Sequence, residues 1–130
     1  MAFLLLFLKL YPETNERFES TVLFGCCPSN GDCTTCEDSN ALNLYKTDDD
    51  STLAKVRLVS DDETTCEFKQ QLSNQVNGLF SGYQHDGKAC QLKVLTTKEK
   101  ATLDFSSVAC LKYFCKNFES IKYEFDRVSP

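Results

Sequence analysis

The sequence predicts a mostly β fold, an antiparallel β-sandwich stapled by disulfides, in a single domain over residues 1–130. Short segments alternate apolar and polar residues with a period of two, as half-buried strands do, and turn-forming sequence separates them. The chain also carries eight cysteines, an even number that is typical of domains cross-linked outside the cell. A chain of this length buries enough surface to fold without cross-links, so the cysteines indicate an oxidising compartment rather than a weak core.

Half of the cysteines fall in one turn-rich segment, residues 25–36 (GCCPSNGDCTTC). Glycine, proline, asparagine and aspartate favour irregular backbone there, so we expect a loop that disulfides pin to the body of the sandwich. The remaining cysteines lie in predicted strands or in a short predicted helix. We assign all eight to structural disulfides, in a pairing that the sequence leaves open. They are Cys26, Cys27, Cys33, Cys36, Cys66, Cys90, Cys110 and Cys115.

The most apolar run of the chain is residues 1–11 (MAFLLLFLKLY), which precede the cysteine-rich segment. That run lacks the charged start and the cleavage site of a secretory signal and is too short to span a membrane. We interpret it as a strand buried on both faces, with a targeting segment as the alternative. Residues 12–20 predict a polar turn anchored by Phe18, and residues 21–24 a short strand that enters the cysteine-rich segment.

The rest of the chain alternates more clearly. Predicted strands cover residues 41–46, 52–59, 65–70, 89–95, 102–105 and 120–128, and residues 79–83 are predicted to form a strand or an aromatic loop. The side chains predicted to face inward are Leu42, Leu44, Ala54, Val56, Leu58, Cys66, Phe68, Cys90, Leu92, Val94, Ile121, Tyr123 and Phe125. Residues 72–78 carry no clear pattern, and residues 85–88 (HDGK) predict a turn.

Residues 106–118 are the best helical candidate. A serine precedes a stretch in which Val108, Leu111, Cys115 and Phe118 fall on one side of a helix. The segment therefore predicts one short helix, and a strand is the alternative.

Several of these features together resemble the N-terminal C2-like module of Delta/Serrate/Lag-2 Notch ligands. They are the apolar N-terminal strand (LLLFLKLY), the CC-x5-C-x2-C segment, the single cysteine in residues 65–68 (TCEF) and the closing strand SIKYEFDRV. The resemblance implies an extracellular C2-like sandwich that contacts a receptor or membrane lipid. This sequence departs from the family at Cys90, Cys110 and Cys115, which have no obvious counterpart there. Because the loop positions do not match, no binding residue of the family is assigned to this chain.

Cys33 and Cys36 form a Cys-x-x-Cys pair, for which three chemistries compete. A structural disulfide is favoured, because no βαβ pattern surrounds the pair and no helix follows to lower a thiol pKa. A zinc site would need two further ligands, with Cys66 or His85 as the candidate for the fourth. Redox catalysis is the least favoured alternative. We predict no cofactor.

Two acidic clusters, Asp48-Asp49-Asp50 and Asp61-Asp62-Glu63, suggest calcium, which prefers oxygen ligands. The predicted strand between them is long enough to place the two clusters at opposite ends of the sheet. We therefore interpret both as solvated turn charges, with a weak calcium site as the alternative.

Phe80, Tyr83 and His85 form an aromatic group that is the candidate contact for a partner, although burial in the core is the commoner use of such residues. His85 is the only histidine, and nothing in the sequence pairs it with a nucleophile, so we predict no enzyme activity.

Net charge indicates which partners to expect. The net charge of −5 and the lack of a run of basic residues argue against nucleic acid and against attraction to anionic lipid.

The sequence thus predicts a secreted or cell-surface binding module without a transmembrane span, acting on a protein, glycan or receptor. The alternatives are a small secreted effector or inhibitor and an intracellular zinc-binding domain.

Overall fold

The computed structural model describes residues 15–26, 31, 33–48, 50–60, 64–76, 79–83 and 90–128. The predicted strand over residues 1–11 and the predicted turn over residues 85–88 lie outside these residues. The elements, in order, are β1 (Asn15–Cys26), β2 (Thr34–Lys46), β3 (Ser51–Val59), β4 (Thr65–Val76), β5 (Leu79–Tyr83), β6 (Gln91–Thr96), β7 (Lys100–Phe105), α1 (Val108–Phe114) and β8 (Lys122–Arg127).

Each strand pairs antiparallel with the next strand in the chain, and β8 returns to pair with β1. The mostly β, antiparallel, disulfide-linked class predicted from the sequence is confirmed. Two packed sheets, the arrangement expected of a sandwich, are not confirmed. The described strands form one curled sheet that closes as a barrel, where Phe18 and Glu19 lie opposite Arg127 and Asp126.

Wherever burial is described, the period-two pattern places one face of the strands in the interior, as predicted. The exception is Ile121, which was predicted to face inward but is 39% exposed, because it precedes β8, which begins at Lys122. On β3, for example, Ala54 and Leu58 are fully buried and Lys55 between them is exposed. The largest fully buried apolar side chains come from all around the barrel and from the helix. They are Phe18, Phe125, Leu42, Leu44, Leu58, Leu72, Leu92, Leu103 and Leu111. The core is therefore the barrel interior together with the buried side of α1.

Three predictions of local structure are corrected. Residues 15–20 were predicted as a turn but form the first half of β1, because Phe18 points inward and is fully buried opposite Leu42. β4 continues through most of the unassigned stretch to Val76. The helix is confirmed but shorter than expected, and Val108 is 47% exposed rather than on its buried side.

The helix begins where the sequence indicates. The Ser107 hydroxyl accepts a hydrogen bond from the Cys110 backbone N–H at 3.1 Å, which satisfies one of the free donors of the first turn. Leu111 and Cys110 turn inward and are buried.

The antiparallel order gives the barrel two ends with different contents. One, which we call the helix end, carries the end of β1, the start of β2, the end of β3, the start of β4, and the α1 segment between β7 and β8. The other, the arginine end, carries the β2–β3 and β6–β7 turns and the end of β8 at Arg127.

Arg127 closes the arginine end. Its guanidinium donates to the Glu16 carboxylate at 2.9 Å, to the Lys98 carbonyl at 2.8 Å and to the Thr97 carbonyl at 2.8 Å. The same group lies over the Phe18 ring, 4.6 Å from its centroid. Because one planar cation binds β1, the β6–β7 turn and a core aromatic ring at once, it links strands that meet at the closure of the barrel.

We expect Arg127→Ala to lower the free energy of unfolding by about 2–4 kcal/mol, since it removes charge-assisted hydrogen bonds and the contact with Phe18. Arg127→Lys should recover less than half of this loss, because an ammonium group lacks the planar fork. Urea unfolding of the oxidised protein measures both. Lys122→Ala, an exposed change on the same strand, serves as control, and an equal loss there would contradict the role given to Arg127.

Candidate binding surface

The β1–β2 hairpin is much longer than the strands beside it. Its ladder runs without interruption from Asn15 opposite Tyr45 to Cys26 opposite Thr34. The ladder between β2 and β3 stops at Ala41, and that between β1 and β8 stops at Glu19. Residues 21–26 and 34–39 therefore continue as a two-stranded ribbon at the helix end, which we call the hairpin arm.

Side chains replace the missing ladder where the arm leaves β3. The Val59 N–H donates to Asn40 Oδ1 at 2.7 Å, and Arg57 Nη1 donates to the Ser39 carbonyl at 2.7 Å. These are the two backbone groups that the next step of a β2–β3 ladder would have joined. Asn40 is buried, so satisfying its oxygen matters for stability.

Arg57 also holds the base of the arm through its charge. Its two terminal nitrogens bond both oxygens of the Asp38 carboxylate at 3.0 and 3.1 Å. This hydrogen bonding holds the pKa of Asp38 below its ordinary value. The pair is substantially solvent-exposed, so it orients the arm more than it stabilises the fold.

A disulfide cross-links the far part of the arm. Cys26 and Cys36 are bonded, with Cα atoms 5.8 Å apart. An isolated two-stranded ribbon is marginally stable in water, so this bond adds to the contacts at the base in holding the arm's conformation. Cys33 is also disulfide-bonded.

Two further disulfides tie the α1 segment to the barrel. Cys110, within the helix, is bonded to Cys90 just before β6, and Cys115, just after the helix, is bonded to Cys66 on β4. All four sulfur-bearing residues are buried or half-buried. The helix is thus held on both sides against the rim of the barrel.

Aromatic rings fill the space between the helix and the strands. Phe114 lies with its ring centroid 4.6 Å from that of Phe68 and 5.7 Å from that of Phe105. Phe105 in turn meets Tyr123 edge-on at 6.3 Å. Burial raises the pKa of the Tyr123 hydroxyl above its ordinary value. This cluster makes the helix a packed part of the core.

Exposed apolar side chains concentrate at this end. In the part of the chain that the structure describes, five large hydrophobic residues are exposed: Leu23 (62%), Leu95 (47%), Val108 (47%), Tyr113 (60%) and Ile121 (39%). Only Leu95 belongs to the arginine end; the others lie on the arm or in the segment from β7 to β8. The sequence alone gives these four residues no contact role, because a single exposed apolar residue has no local sequence pattern.

The structure settles part of the cysteine chemistry. Cys36 bonds to Cys26 and not within the Cys-x-x-Cys pair, and Cys66 is bonded to Cys115. The structural-disulfide interpretation is therefore confirmed for these cysteines, and their sulfurs are not thiolates that could bind zinc. The expected attachment of this segment to the body of the fold is corrected for Cys26 and Cys36 only, because their bond joins the two strands of the arm to each other. Cys27 lies outside the described residues.

The acidic clusters remain interpreted as turn charges. Asp48 Oδ1 accepts the Asp50 N–H at 2.8 Å and so shapes the β2–β3 turn; this bond lowers the pKa of Asp48. β3 separates that turn from Ser60 at the opposite end of the barrel, as predicted. Among residues with described placement, no three histidine, cysteine, aspartate or glutamate side chains gather as a metal site would require. Asp49, Asp61, Asp62 and Glu63 lie outside those residues.

Two of the three residues of the predicted aromatic contact group lie among the described residues. Phe80 and Tyr83 lie on β5, opposite Val94 and Gln91 of β6 in the register. His85 lies outside the described residues. Their role as partner contacts stays a prediction.

Comparison with protein-family models, curated proteins and solved structures finds no significant match. The resemblance to the C2-like module of Delta/Serrate/Lag-2 ligands therefore stays a hypothesis. No helix in the described ranges has the length and apolar character needed to cross a bilayer.

We expect the two kinds of disulfide to protect different regions. Replacing Cys66 and Cys115 by alanine should cost about 4 kcal/mol of unfolding free energy in the chain-entropy estimate for a closed loop of this length. It should also speed amide hydrogen exchange throughout α1. Replacing Cys26 and Cys36 should speed exchange in the arm and leave the Leu111 amide protected. Exchange measured by mass spectrometry decides this, and a uniform increase in both variants would contradict the separate roles.

Proposed function

We propose that this protein is an extracellular, non-catalytic binding module that recognises a protein or glycan partner through the helix end of its barrel. The observation that carries the proposal is the distribution of exposed apolar side chains. Among the side chains whose burial is described, Leu23, Val108, Tyr113 and Ile121 share that end, whereas Leu95 is the one exposed large apolar residue at the other. Aromatic and aliphatic anchors of this kind contribute much of the energy in recognition surfaces.

The way this end is built supports a recognition role. Three disulfides, Cys26–Cys36, Cys66–Cys115 and Cys90–Cys110, all lie there. A backbone held in place before binding loses less conformational entropy when the partner arrives, so pre-ordering raises affinity. Tyr113 suits such a surface, because a tyrosine offers a large contact area with only two side-chain torsions to immobilise.

The disulfides also support the proposed location. Cross-links of this kind persist in oxidising compartments and are rare among cytosolic proteins. The acidic net charge of −5 favours partners with neutral or basic surfaces.

We expect the helix end and not the arginine end to carry binding. A labelled form of the oxidised protein, screened against arrayed extracellular proteins and glycans, should give signals that Tyr113→Ser weakens at least about tenfold, the usual scale for losing an aromatic anchor. Leu95→Ser is the matched control, since it removes a comparably exposed apolar side chain from the opposite end. Signals that are lost equally in both variants, or only with Leu95→Ser, would contradict the proposal.

A further inference from the structure

The barrel is incompletely closed between β1 and β8. The Val128 N–H donates to the Arg17 carbonyl at 2.9 Å, and ladder pairing continues only to Glu19 opposite Asp126. Beyond that point the two strands continue without pairing: β1 for seven more residues to Cys26, and β8 for four residues back to Lys122. We call the facing edges of residues 20–25 and 122–125 the seam.

The hydrogen-bonding pattern fixes which backbone groups face the seam. The N–H and C=O groups of one residue point to the same side of a strand, and the side alternates from one residue to the next. The Arg17–Val128 bond therefore shows that the odd-numbered residues of β1 point toward β8. The β1–β2 ladder has no register shift, so this alternation continues without interruption to the end of β1. The N–H and C=O groups of Thr21, Leu23 and Gly25 therefore point into the seam.

β8 presents the opposite wall. The Phe105 N–H bonds the Ile121 carbonyl at 2.8 Å, so odd-numbered residues of β8 turn toward β7 and even-numbered ones toward the seam. Glu124 thus offers both its backbone groups there, and Lys122 its N–H, since Ser120 Oγ donates to the Lys122 carbonyl.

In the part of the chain that the structure describes, the β1 side of the seam shows none of the features that usually protect a sheet edge. Natural edges are blunted by lysine, proline, a bulge or a covering element. Residues 20–25 (STVLFG) contain no charge and no proline, and Thr21, Leu23 and Gly25 are exposed. Within the described chain no strand pairs with this edge.

Charge indicates what kind of strand this edge would accept. Leu23 lies directly opposite Glu37 on the outer face of the arm. The other acids near the seam have basic neighbours, since Glu19 pairs with Arg17 at 3.7 Å and Glu124 shares its wall with Lys122, so Glu37 carries the charge argument. Residues 18–45 contain four acidic residues and no lysine, arginine or histidine. The inner face of the same edge carries Val22 and Phe24, both half-buried.

We propose that the seam edge of β1 binds an extended basic segment of a partner protein by strand addition, with lysine or arginine alternating with apolar residues. The backbone of the added strand pairs with Thr21, Leu23 and Gly25. Its basic side chains lay their aliphatic stems on Leu23 and direct their charges to Glu37, while its alternate residues meet Val22 and Phe24.

A second copy of this chain fits less well. Pairing two β1 edges would set one uncharged strand against another, and residues 18–45 of the second copy contain no basic side chain that could pair with Glu37. The proposal rests on the proposed binding function and names its partner chemistry and mode.

The test uses a probe of defined chemistry, the fluorescently labelled peptide acetyl-Lys-Val-Lys-Val-Lys-Val-Lys-amide, in anisotropy titrations with the oxidised protein. We expect saturable binding that weakens with added salt. The glutamate counterpart should not bind. Two further peptides test the backbone pairing: one is methylated on the backbone nitrogens of its lysines, the other on the backbone nitrogens of its valines. Their affinities should differ, since only one of these two sets of N–H groups can face β1.

Two pairs of variants locate the site. Leu23→Pro removes an N–H that faces the seam and leaves the ladder to β2 intact, and it should weaken binding at least about fivefold, the scale of one lost backbone bond and its contact. Thr35→Pro makes the matching change on the other edge of the arm and should leave binding unchanged. Glu37→Lys should weaken binding, whereas Glu99→Lys at the arginine end should not.

Equal binding of the basic and acidic peptides, no binding of either, or equal effects of Leu23→Pro and Thr35→Pro would overturn the proposal. Self-association in analytical ultracentrifugation that Leu23→Pro abolishes would also overturn it, in favour of a second copy. These results leave the array experiment with Tyr113→Ser unaffected, so failure of the seam and failure of the binding function are distinguishable.

Discussion

The covalent attachment of one short helix to the barrel rim is the constraint on which the helix end depends. α1 has only seven residues, and helices of that length are not stable alone in water. Disulfides at Cys110 and Cys115 bind it on both sides, closing loops of 20 and 49 residues. In the chain-entropy estimate these are worth about 3 and about 4 kcal/mol. The Phe68–Phe105–Phe114 cluster then has a fixed partner surface, and the exposed side chains around it keep fixed positions.

The two ends of the barrel are stabilised by different physics. At the arginine end, one cation satisfies a carboxylate, two carbonyls and the face of an aromatic ring. These contacts are reversible and need close packing. At the helix end, disulfides link the elements to one another, so the backbone stays ordered although apolar side chains there are exposed to solvent. Because the two ends are stabilised separately, substitutions on the exposed surface of the helix end leave the Arg127 contacts that close the arginine end intact.

The sequence predicted most of the strands because alternation reports directly that one face of a segment is buried. It could not distinguish a sandwich from a barrel, because the pattern does not say which strands lie side by side. It also missed the first half of β1. Residues 15–20 are polar except for Phe18, and only their pairing with residues 40–45 of β2 makes them a strand.

The binding surface was less predictable still. Cys33 and Cys36 suggested a local unit, yet the bond from Cys36 runs to Cys26, because the register of the hairpin brings those two strands together. Val108 fits the helical pattern of buried residues but lies at the first helical position, where it remains exposed. The seam edge, unpaired among the described strands, follows from where two ladders stop, which is a property of tertiary structure that composition does not reveal.

A peptide map of the native protein under non-reducing conditions tests this account most directly. Digestion after blocking any free thiols, followed by mass spectrometry, should recover linked peptides that join Cys66 to Cys115, Cys90 to Cys110 and Cys26 to Cys36. Finding Cys66, Cys90, Cys110 or Cys115 as free, blocked thiols, or the helix cysteines joined to each other, would contradict the claim that disulfides hold the helix end to the barrel.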